Sequence, residues 1–267
     1  TTNKIYMNKT PIVPSKTTET PPSASHLKKP KFKFPTEMVD LPSRGLIYAK
    51  DNPLSSGKIE MKYMTAKEED IITNQSYISK GTVIEKLLEA LVVSDVNIGD
   101  MIVGDKNALL VASRVLGYGA SYKFTYAGED YEVDLSTLDN KHFDETLFTQ
   151  GENRFSFQLP SSETLVEFQL MTDTIEKKVE AELRGLKKLK KEVIPEMSTR
   201  MKHMILSVDG NMDKKDIREF VDTYFLARDA KALRDYIGQI QPDVDFSFER
   251  EKKDGEIEEI DIPIGAN

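Results

Sequence analysis

Residues 58–119 read KIEMKYMTAKEEDIITNQSYISKGTVIEKLLEALVVSDVNIGDMIVGDKNALLVASRVLGYG, and the local signals in this stretch agree with one another. The first residues alternate between charged and apolar, with Ile59, Met61 and Tyr63 on the apolar side. This is the period-2 pattern of a half-buried strand. The remainder has the periodicity and end signals of helices. The stretch therefore predicts one strand and three short helices that pack together without help from the rest of the chain. We call residues 58–119 the nucleus. It contains no group of residues arranged for catalysis.

The first two predicted helices have separate start signals. Thr65 opens the first helix, and Glu68, three residues later, completes a capping box with it. Gly81 and Thr82 open the second helix, which carries one apolar stripe: Val83, Ile84, Leu87, Leu88 and Leu91. This stripe is expected to face the protein interior.

The third predicted helix covers residues 106–116 and is rich in Ala, Leu and Val. Asp105 is expected to cap its first turn, because a short acidic side chain can accept hydrogen bonds from the free N–H groups there. Gly117 is expected to end it in a left-handed conformation. The stripe of the second helix should pack on this helix around Val111 and Val115.

The composition excludes several classes of protein. The chain has 267 residues, of which 39% are hydrophobic and 31% charged, enough for a packed core under a heavily charged surface. It contains no Cys, which excludes disulfides and thiolate zinc sites and fits a reducing compartment. No apolar run approaches the roughly 20 residues needed to span a bilayer, so no membrane partner is expected.

The charge is distributed unevenly along the chain. Residues 1–36 carry seven Lys and one Glu, a net charge of +6, so with a total of −8 the remainder carries −14. The same segment holds six of the twelve prolines and shows no helical or strand period. It predicts an extended, polyproline-like basic arm that becomes ordered by lying on a neighbour.

One part of this arm has the residue types of a binding segment. Basic residues alternate with Phe there, so the segment can stack on nucleic-acid bases or anchor the arm on an acidic protein surface. The tentative partner-binding residues are Lys28, Lys29, Lys31, Phe32, Lys33 and Phe34.

Between the arm and the nucleus lies the sequence LPSRGLIY, Leu41–Tyr48. Pro42 suits the second position of a β-turn, and Gly45 can take a positive φ. The turn is expected to lead into a short strand, Leu46–Tyr48, which pairs with the strand at residues 58–64.

The rest of the chain predicts three β-hairpins and a helical block. The hairpins are expected at residues 122–135, 155–170 and 244–262, with turns at 127–130, 160–162 and 252–255. The helices are expected at 174–192, in a Met-rich segment at 197–204, after Asp213 and Asp216, and at 230–240.

These elements predict an α+β fold in which short helices pack with several antiparallel β-hairpins, preceded by an extended N-terminal arm. Three parts are expected. Residues 1–36 form the arm, residues 37–171 a hairpin–helix–hairpin domain, and residues 172–267 a helical domain that ends in a β-hairpin.

Neither a metal site nor an active site is predicted. The three histidines, His26, His142 and His203, are far apart in sequence. Asp209, Asn211 and Asp213 match the first three ligand positions of a calcium loop, but Lys214 replaces its Gly and Phe220 its bidentate Glu. Helix capping by Asp213 explains the same residues. Ser, His and Asp never cluster, so no enzyme and no cofactor are expected.

Four segments carry a resemblance to a known family. They are LPSRGLIY at Leu41–Tyr48, MTAKEEDIITNQSYISKGTVIEKLLEALV at Met64–Val92, IGDMIVGDKNALLVASRVLGYG at Ile98–Gly119 and ARDAKALRDYIGQIQPDVDF at Ala227–Phe246. They resemble the baseplate hub assembly proteins of T4-like contractile-tailed bacteriophages. With the hairpins between them they cover most of residues 40–263, and the basic arm lies outside the resemblance.

The resemblance implies a non-enzymatic structural or assembly protein of the tail baseplate hub, acting by protein–protein contacts. It implies assembly in the host cytoplasm and a location in the virion tail baseplate. The expected partners are other baseplate or tail proteins and further copies of the chain, with the arm clamping a neighbouring subunit. No catalytic residue is carried over.

One feature of some relatives is missing. They have Cys-x-x-Cys-like knuckles in the first and last hairpins, whereas the turns here are Ala127-Gly128-Glu129-Asp130 and Lys252-Lys253-Asp254-Gly255. A zinc role is therefore not carried over.

Two alternatives stay open at this point. The first is an assembly chaperone that dissociates and is absent from the mature virion. The second, from a different class, is a nucleic-acid-binding module that uses the basic arm. The charge of −14 outside the arm argues against the second, because it repels phosphate over most of the surface.

Overall fold

A computed structural model describes residues 35–189, 193–252 and 255–264. Contacts divide the chain into two units, Thr1–Lys33 and Phe34–Asn267, and the described residues belong to the second unit. The predicted arm therefore lies outside the described residues, apart from Pro35 and Thr36.

The second unit mixes helices with several small antiparallel sheets, which confirms the predicted α+β class. The strands are β1 (Thr36–Asp40), β2 (Lys58–Lys62), β3 (Ser121–Tyr126), β4 (Glu129–Asp134), β5 (Phe155–Gln158), β6 (Leu165–Phe168), β7 (Ile205–Val208), β8 (Ser247–Glu251) and β9 (Ile257–Asp261). The helices are α1 (Ala66–Ile72), α2 (Gln75–Lys80), α3 (Val83–Leu91), α4 (Val103–Tyr118), α5 (Asp173–Lys188), α6 (Glu196–Met204), α7 (Lys214–Glu219) and α8 (Ala227–Ile240).

The partner predicted for the first strand of the nucleus is wrong. β2 pairs antiparallel with β1, with Val39 opposite Ile59, and residues 46–48 form turns instead of a strand. The reason lies in the loop before them. Arg44 and Gly45 both have positive φ, 52° and 77°, which folds residues 41–48 into consecutive tight turns. An added Cβ on Gly45 would collide with the Ser55 carbonyl oxygen, so the loop packs closely against the segment before β2.

The helical part of the nucleus has one more helix than predicted. The capping box of Thr65 and Glu68 at the start of α1 is confirmed. The additional helix is α2, which begins because the Asn74 side chain accepts hydrogen bonds from the N–H groups of Ser76 and Tyr77. Gly81 ends it with φ 68°.

Both predicted ends of the third helix are wrong. α4 begins at Val103, so Asp105 lies inside its first turn instead of capping it. Gly117 is inside the helix, and Gly119, with φ 85°, follows the last helical residue, Tyr118. α4 is longer than expected because its start is held by the short antiparallel bridge between Ile102 and Thr172.

The three hairpins are confirmed, and the second gains a strand. β3–β4 turns through Ala127 and Gly128, both with positive φ, as a two-residue hairpin turn requires. β7 pairs with β6 and extends the second hairpin to a three-stranded sheet. It follows α6 directly, and its four residues are too few for a clear alternation. In the third hairpin, β8–β9, turn residues 253 and 254 lie outside the described residues.

The predicted helical block is confirmed as α5 to α8. Asp213 caps α7, since its side chain accepts hydrogen bonds from the N–H groups of Lys215 and Asp216. α5 ends at Lys188, earlier than the predicted 192, and residues 190–192 lie outside the described residues.

A main hydrophobic core connects the elements on both sides of position 171. It includes Leu87 and Leu91 of α3, Phe168 of β6, Val179 of α5 and Leu233 of α8. The predicted boundary between residues 171 and 172 therefore lies within a shared core, and independent folding of the two parts stays a prediction.

The inward orientation of the α3 stripe is confirmed, but its expected contact is wrong. Leu87 and Leu91 are buried in the main core together with Leu109 of α4. Val111 and Val115 lie instead on the side of α4 that lines a groove beside β1. A separate small core joins the first and third hairpins around Phe124, Ile260 and Ile262.

Candidate functional site

The six residues predicted to bind a partner all lie outside the described residues: Lys28, Lys29, Lys31, Phe32, Lys33 and Phe34. Their role stays a prediction. The candidate sites of the second unit are two polar clusters around buried carboxylates, one partly buried cluster, and an open strand edge with a groove beside it.

The first buried cluster joins the loop at 41–48 to α4. Asp105 is fully buried, and its Oδ1 accepts a hydrogen bond from Ser43 N at 2.9 Å. Its Oδ2 accepts hydrogen bonds from Ser43 Oγ at 2.6 Å and from Tyr48 Oη at 2.5 Å. Tyr48 Oη in turn accepts a hydrogen bond from Ile102 N at 3.0 Å. The carboxylate thus holds the loop on the helix.

Burial dominates the electrostatics of this cluster. It raises the pKa of Asp105, although the hydrogen bonds from Ser43 and Tyr48 oppose that change. Burial and the nearby Asp105 carboxylate raise the pKa of the Tyr48 hydroxyl as well. Both groups and Ser43 are buried, so a substrate cannot reach them in this conformation. The arrangement can position the loop, but it cannot exchange protons with a bound molecule.

This cluster was missed in the sequence, where Asp105 was assigned to helix capping. An acidic residue followed by an apolar helix can be a helix cap or a buried acceptor of hydrogen bonds. The two residues that donate to Asp105, Ser43 and Tyr48, lie 62 and 57 positions upstream. No local pattern in the sequence links the two segments, so the contact is recognised only in the folded chain.

The second cluster joins α3, α4 and α5 around the buried carboxylate of Asp173, whereas the side chains of Lys177 and Glu85 are partly exposed. Lys106 Nζ lies 2.5 Å from Asp173 Oδ1, and Lys177 Nζ lies 2.8 Å from Asp173 Oδ2 and 2.9 Å from Glu85 Oε1. Lys177 therefore forms ion pairs with carboxylates of both α5 and α3. Burial alone would raise the pKa of Asp173, but the two lysines outweigh it and lower that pKa.

The partly buried cluster joins α5, α6 and α7 around Glu182. Arg218 donates two hydrogen bonds to this carboxylate, at 3.0 and 2.8 Å, and His203 Nε2 lies 2.9 Å from Oε2. The Arg218 guanidinium lowers the pKa of Glu182 to about 2, with a smaller contribution from His203. Glu182, Arg218 and His203 therefore contact one another and link α5, α6 and α7.

The open strand edge belongs to β1. The ladder between β1 and β2 is bounded by the hydrogen bond from Leu41 N to Gly57 O, at 2.8 Å, and that from Tyr63 N to Pro35 O, at 3.1 Å. Residues of an antiparallel pair exchange hydrogen bonds at every second position. The odd-numbered residues of β1 therefore face β2.

The even-numbered residues Thr36, Met38 and Asp40 direct their N–H and C=O groups away from β2. Within the described part of the chain, no strand pairs with this side of β1. Met38 is 55% exposed. An edge of this kind is a template for the backbone of another strand.

The groove beside this edge has a volume of about 420 Å³ and is lined by apolar side chains together with polar residues, among them Ser136 and Asn140. Its apolar lining comes from β1, α4 and the segment after β4, and includes Val39, Ala108, Val111, Val115, Leu135 and Leu138. The charged residues that line it are Glu37 and Asp40, without a Lys or Arg. The groove can take extended chain that carries apolar side chains and positive charge.

Side chains of the segment that resembles a calcium loop accept hydrogen bonds from backbone N–H groups. Asp209 Oδ1 accepts a hydrogen bond from Leu165 N, and Asn211 Oδ1 accepts one from Asp213 N. Among the described residues, no group of three or more His, Asp or Glu side chains is placed to hold a metal ion. Within the same ranges, no helix has the length and apolar character needed to cross a lipid bilayer.

Each of the four carboxylates that the described residues bury is bonded within the chain. Glu68 completes the cap of α1, Asp105 and Asp173 hold the clusters described above, and Asp229 accepts hydrogen bonds from the N–H groups of Ser161 and Ser162.

Comparisons of the chain with models of protein families, with curated proteins and with solved structures found no match.

Proposed function

We propose that this chain is a non-enzymatic structural or assembly protein of a contractile phage tail baseplate hub. It acts by protein–protein contacts with other baseplate or tail proteins and with further copies of itself, and its N-terminal arm clamps a neighbouring subunit. It is assembled in the host cytoplasm and belongs to the virion tail baseplate.

One observation carries this proposal beyond the resemblance. The four carboxylates that are buried within the described residues, Glu68, Asp105, Asp173 and Asp229, all bind groups of the same chain. An acid or base that is engaged in this way stabilises one conformation and is not free for proton transfer. This favours a scaffold, whose task is to present a fixed surface.

The surface itself agrees with contact as the mode of action. Several large apolar side chains are more than half exposed on separate elements of the second unit, among them Met38, Val93, Met212 and Tyr224. Apolar side chains exposed singly are normal on protein surfaces, so they are compatible with such contacts without marking one. The open edge of β1 offers backbone hydrogen bonds in addition.

Mass spectrometry of purified virions of the phage that encodes this sequence tests the proposal. A permanent component is expected at constant stoichiometry with the baseplate proteins. If the chain is absent from virions but present in baseplate precursors, the assembly chaperone is the correct function. If it is absent from both, the baseplate proposal is wrong.

A further inference from the structure

We propose that the outer edge of β1 and the groove beside it bind residues 28–34 of a second copy of this chain, as an added strand. This inference rests on the proposed function in one respect, the role of the arm as a partner-binding segment. The receptor surface is argued from the described residues alone.

The backbone of the edge provides the first argument. Thr36, Met38 and Asp40 present their N–H and C=O groups on the side away from β2, and no strand of the described residues takes them up. Extended segments commonly bind such an edge by extending the sheet, with main-chain hydrogen bonds supplying affinity and side-chain pockets supplying specificity.

The side-chain pattern provides the second argument. In Lys31-Phe32-Lys33-Phe34 the two Phe are two residues apart, so both fall on one face of a strand and both Lys on the other. The groove next to β1 is lined by Val39 and by the apolar residues of α4 and of the segment after β4. An added strand can therefore place both Phe rings in the groove with both ammonium groups outside.

Charge provides the third argument. Residues 28–34 contain four Lys and no acidic residue. The charged residues lining the groove are Glu37 and Asp40, and Asp40 is paired with Lys58 of the same chain at 3.0 Å. An adjoining depression shares Leu138 with the groove and is lined by Asp134, Asp139 and Asp245, again without Lys or Arg. The receptor region and the segment thus carry opposite net charges, which favours association at long range and makes it sensitive to salt.

The position of Pro35 indicates which chain supplies the segment. The Pro35 carbonyl accepts the hydrogen bond from Tyr63 N, so Pro35 continues β1 along β2. A hairpin that returned residues 31–34 along the same β1 would need its turn at Pro35. This favours a segment supplied by another molecule, and every copy carries both the arm and the receptor edge. Such copies can exchange arms in pairs or bind head to tail.

Sedimentation velocity of the full-length chain over a wide range of concentrations tests this inference. The wild-type chain is expected to self-associate, less strongly at high salt. Phe32→Ala combined with Phe34→Ala removes the groove anchors, and Met38→Pro removes an outward N–H without touching a hydrogen bond to β2. Each variant is expected to weaken association by about tenfold or more. Met38→Val keeps the N–H and serves as the matched control.

Mixing the two defective variants gives the sharpest result. The Phe32→Ala/Phe34→Ala chain keeps a receptor edge, and the Met38→Pro chain keeps an arm, so the mixture is expected to form heterodimers while each variant alone stays monomeric. Circular dichroism of each variant checks that it is folded.

Three outcomes would overturn the inference. They are a monomeric wild-type chain, association that neither variant weakens, and a mixture that does not form heterodimers. None of these results depends on virions, so a chain that fails to self-associate but is found in baseplates loses the contact between copies and keeps its proposed place in the baseplate.

Discussion

Lys106 of α4 and Asp173 of α5 form a contact of 2.5 Å across the boundary predicted between residues 171 and 172. The side chain of Asp173 is 2% exposed, and that of Lys106 is 17% exposed. Two backbone hydrogen bonds flank the contact, from Val103 N to Met171 O and from Asp173 N to Met101 O, at 2.9 and 2.8 Å. The start of α4 and the start of α5 therefore form one structural joint.

Lys106→Met is expected to lower the free energy of unfolding by about 3 kcal/mol, because it leaves a buried carboxylate with only one of its two cations. Urea denaturation of the full chain measures this change. Lys231→Met removes a lysine whose pair with Asp235 is exposed, and it should cost at most about 1 kcal/mol. Equal losses for the two variants would mean that the joint contributes nothing beyond a surface ion pair.

The acid stability of the chain should depend on Glu68. Burial alone would raise its pKa, but hydrogen bonds from Lys62 and Thr65 lower it from 4.5 to about 2. Because the pKa of the folded state is below that of the unfolded state, the unfolded state binds more protons between these values. The stabilisation by Glu68 is therefore complete above pH 4.5 and is lost as the pH falls towards 2.

Glu68→Gln should remove this dependence and cost on the order of 3 kcal/mol at neutral pH, with the difference from wild type shrinking between about pH 4.5 and 2. Denaturation at a series of pH values measures the difference. Glu69→Gln removes an exposed carboxylate from the same helical turn and controls for the loss of one negative charge. A difference for Glu68→Gln that does not change with pH would contradict the assignment.

Local signals in the sequence were sufficient for most elements. The capping box at Thr65, the Asp213 cap and the alternation in the three hairpins each act within a few residues, so they can be recognised without the fold. The long-range partners could not be recognised in this way. β1 joins β2 across 17 intervening residues that form consecutive turns, and the four residues of β7 show no clear period.

The sites were harder to predict for the same reason. Asp105 has the local features of a helix cap, and only the folded chain brings Ser43 and Tyr48 to its carboxylate. The open edge of β1 depends on which residues face β2, which is a property of the pairing and not of the strand sequence. A sequence pattern can thus identify an acidic residue or a strand without identifying what it binds.

Leu87→Ala should destabilise the isolated chain. Leu87 is 5% exposed and belongs to the main core, where truncation of Leu to Ala typically costs about 2–5 kcal/mol. Thermal melting measures the loss, and Leu189→Ala, at a position that is 71% exposed, is the matched control. An unchanged melting temperature together with lost association would mean that the α3 stripe is a docking surface and that residues 58–119 are not a self-sufficient nucleus.

Binding to nucleic acid should be weak and should disappear near physiological salt. The arm carries +6, but the remainder of the chain carries −14, so phosphate is attracted by one short segment and repelled by most of the surface. Filter binding to duplex and single-stranded DNA at several salt concentrations measures this, since the number of phosphate contacts determines how steeply affinity falls with salt.

Substitution of Lys28, Lys29, Lys31 and Lys33 by Ala provides the matched comparison, because it removes the basic residues next to Phe32 and Phe34 and leaves those aromatic rings in place. The weak association of the wild-type chain at low salt is expected to fall further in the substituted chain, and neither form should bind DNA near physiological salt. Tight binding by the wild-type chain that is lost in the substituted chain would establish the arm as a nucleic-acid-binding segment. In that case stacking of bases on the two Phe rings would explain the alternation of Lys and Phe better than a groove in a second copy of the chain.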